Sequence, residues 1–473
     1  MAAPVKVILE RRPRTARRTC AWLTAAAVAL TAVSRQQTWA QERGQGGLPL
    51  IRDAEIEQLL RDYSQPILRA AGLSQQNVNI IIINNTSFNA FVMDGRRIFV
   101  NAGALMESQT PNQIIGVLAH EAGHIAGGHL SRLREQLAAA QTQAIIAMLL
   151  GVGAMAATAR SGNVGGNPSA AIVGTQDAIT RSVLAYQRAQ EEQADRAAVK
   201  FLTATGQSPR GMYETFKRFA DQSLFAARYA DPYLQSHPMA TERMAALEAL
   251  AKTSPYWSKK DPPELQLRHD MMRAKISGFM ERPDTVARRY PPSDTSLPAR
   301  YARAIATYRH GDLRAALAQI DGLIQTQPNN PYFYELKGQA LLEGARPAEA
   351  IAPLRQAVRL APRPALIQVL LAQALIATNK PEHLDEAINL LRLAISREPD
   401  VPNGYTQLAM AYGRKGNLAE ADLASAQAAV ARGDLKTARE LAARAKTRFA
   451  VGSPGWVKAD DIVSQRPTGL RPN

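Results

Sequence analysis

Apolar side chains recur at helical spacing through much of the chain. Ile56, Leu59, Leu60, Tyr63 and Ile67 mark one face of a helix over 54–71. The segment 79–84 holds four consecutive isoleucines, a β-branched run that predicts a buried strand. Ala90 to Met93 and Arg97 to Asn101 flank Asp94-Gly95, a hairpin turn signal. From Pro111 helix dominates, and Ile114, Ile115, Val117 and Leu118 predict one running to about Arg134. A second apolar stretch spans 144–159. It reads as a core helix, or as a hydrophobic segment that covers a site or rests on a membrane; its length falls short of the ~20 residues of a span.

Beyond 297 the pattern becomes periodic. Ala316, Ala350, Ala387 and Ala421 stand 34, 37 and 34 residues apart, and Pro328, Pro362 and Pro399 each follow their alanine by twelve. Ala357, Ala394 and Ala428 keep the same rhythm, and Gly338 falls where the motif expects glycine. Thirty-four is the tetratricopeptide period, in which small residues let paired helices approach and proline ends the second helix. About four helix pairs are expected, with a three-residue expansion near 379–383. Gly433-Asp434-Leu435 echoes Gly416-Asn417-Leu418 and suggests a final capping pair. Such a stack offers a groove for extended or helical peptide segments and carries no chemistry of its own. The expected boundaries are 1–40 for a signal peptide, 41–255 for a first folded domain whose opening residues are mobile, 256–296 for a proline- and charge-rich linker, 297–449 for the repeats and 450–473 for a flexible tail.

The first forty residues read as an export signal. Arg11 to Arg18 form a basic stretch, Ala21 to Val33 an apolar one, and Thr38-Trp39-Ala40 a small-x-small site with cleavage after Ala40. Cys20, the single cysteine, lies inside that signal, so the mature chain relies on its core alone. Hydrophobic residues at 46% and charged residues at 21% suit a folded protein with ample core. Of the net charge of +16, seven basic side chains against one acid in residues 1–40 account for +6, leaving +10 on the rest. That excess suits an anionic lipid surface, hence peripheral membrane contact, or acidic partners. Nucleic acid is not expected, because no recognised binding module is present and the export signal leads away from that compartment.

The chemistry concentrates in His120-Glu121-Ala122-Gly123-His124. Histidines four apart share one helix face and can grip a single metal ion, while Glu121 beside them can act as general base on a metal-bound water and then as proton donor. A bare Gly123 makes sense if another element packs closely there. One zinc ion per chain is expected. A third ligand is needed, and His129, placed one residue too early for a ligand ten residues after the first histidine, reads as a polar residue or as one that supports the ligands from behind. The better donors are Glu191 and Asp195, four apart on one helix face: one carboxylate can bind metal while the other orients a ligand histidine through its free N–H.

These motifs resemble the M48 peptidases. The resemblance extends to Ser236-His237-Pro238 with Arg243 six residues after the histidine, to Asn89-Ala90-Phe91 and to Val100-Asn101-Ala102-Gly103, and covers roughly 50–450. Gln187 departs from it, where the family usually has serine before the arginine. The resemblance implies an α+β, mostly helical chain: a zincin-type metalloprotease domain with a small β-hairpin or sheet, followed by an α-solenoid of tetratricopeptide repeats. It implies that Glu191 is the third zinc ligand, beside His120 and His124, and that Asp195 is the ligand-orienting carboxylate. It sets His237 near the metal, where it occupies the fourth position and keeps the enzyme latent, assists turnover, or is a structural histidine before a proline turn. Arg243 stabilises the developing oxyanion or makes a salt bridge. An exported member with such repeats implies a periplasmic zinc endopeptidase of envelope quality control. It would act on unfolded or misassembled envelope proteins, chiefly stalled outer-membrane proteins, with the repeats docking substrate or the β-barrel assembly machinery. The rival reading is a chaperone or assembly scaffold with a latent metal site.

Overall fold

The computed structural model describes residues 42–43, 49–136, 138, 168–225, 237–238 and 241–465. The expected signal peptide, the apolar stretch 144–159 and the last residues of the tail lie outside them. The N-terminal half pairs a small mixed sheet with helices. The strands are β1 (Glu42–Arg43), β2 (Pro49–Ile51), β3 (Asn79–Ile83), β4 (Ala90–Asp94) and β5 (Arg97–Asn101), in the order β1-β2-β3-β5-β4. β3 and β5 run parallel and β4 closes back antiparallel on β5. Residues 41–50, expected as a mobile entry, thus supply strands, because β2 pairs with β3 through Leu50 and Ile51.

Helix α1 (Ala54–Ala70) is started by Asp53, whose side chain accepts from the Ile56 amide, and it buries Ile56, Leu59, Leu60, Tyr63 and Ile67. It is followed by α2 (Ala102–Glu107), α3 (Pro111–Ala126), α4 (Pro168–Ala204), α5 (Arg210–Phe225) and α6 (Thr241–Lys252). One core joins α1, the sheet and α3 to α5 through Leu60, Phe88, Ile98, Leu118, Leu202 and Phe216. α3 ends eight residues short of the expected Arg134. The chain turns at Gly127-Gly128, where Gly128 takes a positive φ of 63°, and helix resumes over 129–136.

The segment 256–296, read as a linker, is helical: α7 (Pro263–Met280) and α8 (Pro283–Arg289). Proline begins both helices, where the missing N–H costs nothing, so here it signals helix starts and not a break. α7 buries Met272 and Ile276 in the N-terminal core and Met271 and Phe279 in the first repeat core.

The repeats form five antiparallel helix pairs: α9 (Leu297–His310) with α10 (Leu313–Thr326), α11 (Pro331–Glu343) with α12 (Pro347–Leu360), α13 (Ala365–Ala377) with α14 (Leu384–Arg397), α15 (Pro402–Arg414) with α16 (Leu418–Ala431), and α17 (Leu435–Lys446) with α18 (Pro454–Ser464). Asp312, Asn417 and Asp434, each after a glycine and before a leucine, cap the helices that follow them. Six of the seven periodic alanines are buried; Ala421 is half-buried. The expansion at 379–383 is a turn with Asn379 at φ 58° and a short 3₁₀ segment, Pro381–His383. α18 occupies the expected flexible tail and buries Ala459 against Leu423 and Ala442.

The two halves meet in a buried ionic cluster. Lys275 of α7 places Nζ 2.8 Å from Asp53 Oδ2, 3.1 Å from Glu55 Oε2 and 3.8 Å from Glu335 Oε2. Tyr301 donates to Glu55 Oε2 at 2.9 Å. Burial works to lower the Lys275 pKa, but the facing Asp53 and its neighbours hold it well above the usual lysine range, while burial pushes the Glu335 carboxyl up. Arg52 reaches Glu398 at 2.6 Å, and Ala54 packs with Ala357 and Ile367. Replacing Lys275 by methionine keeps the stem but leaves two or three carboxylates buried without their cation. The variant should lose about 3–5 kcal/mol in urea unfolding of the full chain; a loss below about 1 kcal/mol would show that the cluster does not hold the halves together.

Candidate metal centre

α3 carries His120, Glu121 and His124, α4 carries Glu191 and Asp195, and α6 carries Arg243. α3 and α4 approach closely at Gly123, where a Cβ would fall 2.9 Å from the Ala194 carbonyl oxygen. The missing side chain therefore brings Glu191 and Asp195 against the histidine pair, as the bare glycine led one to expect.

Four donors converge. His120 Nε2 lies 3.0 Å from His124 Nε2 and 3.3 Å from His237 Nδ1. Glu191 Oε2 lies 3.4 Å from His120 Nε2 and 3.0 Å from His237 Nδ1, and Glu191 Oε1 lies 3.3 Å from His124 Nε2. One ligand atom from each of the four residues falls within 4.8 Å of every other. A tetrahedral ion with bonds of about 2.0–2.1 Å holds its donors about 3.3–3.4 Å apart, so the spacing suits a cation at the centre. His120 Nδ1 faces Asp195 Oδ1 at 3.0 Å, which turns the other ring nitrogen inward.

The electrostatics ask for positive charge in the same place. Burial works to raise the Glu191 carboxyl, but His237 and His120 hold it well below its usual range. Asp195 is likewise buried and likewise lowered, by Arg243 first and then His120. Burial tends to discharge His120, yet Asp195 and Glu191 overcome it and lift its pKa to about 9. Burial and the neighbouring His120 drive His124 well below 6.5. A proton on His120 thus does part of the work of a cation. Glu121 is buried, its two oxygens have no hydrogen-bond partner among the described residues, and His237 Nε2 lies 3.5 Å from Oε1. Burial raises its pKa, as suits a proton acceptor near neutral pH.

Arg243 lies within this polar core. Its Nε and Nη2 grip Asp195 at 2.7 and 2.9 Å, and Nη1 reaches Glu191 Oε2 at 2.9 Å and the Pro238 carbonyl at 3.0 Å. Of the two roles expected for it, the salt bridge is the one this geometry favours: the guanidinium faces the protein's own carboxylates. His129 sits behind His124, outside the four donors. Gln190, which donates to the His129 carbonyl, and Phe216, whose ring meets His120 edge-on, carry no sequence signal that singles them out.

Residues 51–251 match the family "Peptidase family M48". The chain is 24% identical over 429 residues to the beta-barrel assembly-enhancing protease of Escherichia coli (strain K12), covering 89% of this chain and 85% of that protein. It is 25% identical over 422 residues to the protein of the same name from Yersinia pestis, covering 88% and 84%. Metalloprotease YcaL of Escherichia coli (strain K12) is 29% identical over 187 residues, 38% of this chain and 67% of YcaL. Among solved structures, a crystal structure of MamA aligns with 34% of this chain and 90% of its own, at 18% identity and a TM-score of 0.28. Residues 51–251 are thus a Peptidase M48 domain, and the chain is a metalloprotease with a helical repeat array behind that domain.

Proposed function

We propose that the chain is an exported zinc endopeptidase of the periplasm that cleaves misfolded or stalled envelope proteins, outer-membrane β-barrel precursors among them, and that its repeats recruit substrate or the assembly machinery. The observation that carries the reading is the convergence of His120, His124 and Glu191 beside a buried Glu121 whose oxygens accept no hydrogen bond among the described residues. The printed names of the relatives support the envelope setting.

In this reading His120 Nε2, His124 Nε2 and a Glu191 oxygen hold one zinc ion per chain, a donor set that zinc favours. When bound, the ion lowers the pKa of a water and polarises the scissile carbonyl. Glu121 takes the proton from the attacking water and passes it to the leaving amine. Asp195 keeps the His120 proton on Nδ1, and Arg243 holds Asp195 and Glu191 in place. β4 is the outer strand of the sheet among the described residues and packs beside α3, so an extended substrate can pair along its outer edge. Arg134 donates to Met93 O there, at 3.3 Å. No helix among the described residues is long and apolar enough to cross a membrane.

His237 supports a latent resting state. Its Nδ1 completes the four-donor cluster, leaving an ion there no position for substrate. The scaffold reading and the protease reading can coexist here, with His237 keeping the site shut at rest while the repeats recruit.

Three outcomes are expected on the mature protein beginning at Gln41. Metal analysis and casein cleavage should find one zinc per chain in wild type and in Glu121→Gln, with cleavage in Glu121→Gln down at least about 10²-fold and zinc lost in Glu191→Ala. Wild-type protein that binds zinc yet cleaves no faster than Glu121→Gln, in the His237→Ala background as well, would favour the scaffold. Casein cleavage should rise in His237→Ala while zinc stoichiometry holds; a fall in both would make His237 an obligatory ligand. Zinc must displace the proton that His120 holds up to about pH 9, so acidification below that pH should weaken binding by about tenfold per unit. A pH-independent affinity between 6 and 8 would contradict the site.

A further inference from the structure

His129 follows the Gly127-Gly128 turn, is buried, and points its ring back toward α3. Its Nδ1 lies 3.0 Å from His124 Nδ1, and the two rings meet edge to face with centroids 5.0 Å apart. A Cβ on Gly127 would fall 2.2 Å from His129 Nε2, so the bare glycine lets the ring fold back. From α4, Gln190 Nε2 donates to the His129 carbonyl at 3.1 Å, and Gln193 stands one turn further along the same helix. Those two glutamines bracket Glu191 in sequence. His129 is therefore fixed from three sides: by the turn, by α4 and by the ring it faces.

Proton counting gives this contact a direction. His124 turns Nε2 into the four-donor cluster. A neutral imidazole carries one N–H, so a lone pair on Nε2 requires the proton on Nδ1. His124 Nδ1–H then donates to His129 Nδ1, and His129 keeps its own proton on Nε2. Asp195 performs the equivalent service for His120 with a carboxylate. The cluster thus supports its two histidines differently: the fully buried one by a charged acceptor, the partly exposed one by a neutral acceptor.

We propose that His129 is the positioning residue for His124, holding its Nδ1–H and thereby aiming the Nε2 lone pair at the metal. The proposal rests on the zinc reading of the cluster given above. His129 does not touch the metal; it acts through the tautomer and orientation of His124.

The test compares His129→Leu with His129→Asn in the full mature chain. The two new side chains have nearly the same shape, but asparagine sets an acceptor close to where Nδ1 was. Zinc affinity is read by chelator competition, the cobalt-substituted site by its visible absorption, and fold integrity by thermal unfolding of the metal-stripped protein. His129→Leu should bind zinc about 10–100-fold more weakly and shift the cobalt spectrum. His129→Asn should stay within about threefold of wild type with the wild-type spectrum, while the two variants unfold alike without metal. Equal loss of affinity in both variants would reduce His129 to packing, and unchanged affinity in His129→Leu would remove the role; either result overturns the proposal while leaving the zinc site standing. Wild-type protein that binds no zinc would overturn the zinc reading itself.

Discussion

A carboxylate taken out of water must find positive charge or lose its own, and α4 buries two of them, Glu191 and Asp195, one turn apart. The rest of the centre follows from that constraint. Arg243 spends three nitrogens on the pair. His120 gives Nδ1 to Asp195 and turns Nε2 toward Glu191. What remains after Arg243 has neutralised one carboxylate is a negative oxygen facing imidazole nitrogens, which is the environment a divalent cation binds in. The helices supply the positions, since residues four apart stack on one face, and Gly123 supplies the nearness of those helices.

The same physics ties the M48 domain to the repeats. Lys275 stands on a helix that belongs to both halves, and it is surrounded by Asp53 and Glu55 from the start of α1 and by Glu335 from α11. Asp53 also caps α1, so one carboxylate starts a helix and anchors the array. A lysine with this many buried acids cannot be exposed by a small hinge motion without stranding them. The repeats are thus built onto the peptidase domain, with Ala54 and Ile367 in one cluster, and α7 is a shared element.

Much of this was legible in the chain because local rules and the fold agree. The α1 face and the hairpin about Asp94-Gly95 depend on neighbours a few residues away, the alanine period on a unit that repeats every 34 to 37 residues, and the structure keeps all three. Segment 256–296, expected as a linker from its proline and charge, is helical because Pro263 and Pro283 sit where helices begin. The entry at 41–50 misled because a two- or three-residue strand has no period of its own; it exists only through pairing with the isoleucine strand. In the centre, histidines and acids at helical spacing could be read directly. Arg243 could be placed nearby, but which way its guanidinium faces is decided by Asp195, a contact 48 residues away in sequence. His129 could be excluded as a ligand by counting residues; that its ring turns back onto His124 depends on a glycine turn that the hydrophobic pattern, continuing to Arg134, concealed.

The elements that carry the donors differ in a way that bears on control. His120, His124 and Glu191 stand in the middle or last turn of long helices, where moving a side chain by several ångströms would require the helix to shift or unwind. His237 stands outside any helix, followed by Pro238, whose carbonyl receives Arg243. Of the four donors it is the one that can leave without breaking helical hydrogen bonds. Its departure would uncover a Glu121 already made basic by burial, while Arg243 keeps both carboxylates aligned. In the latent state proposed above, three donors on helices and one off them would let the centre open without rearranging its core.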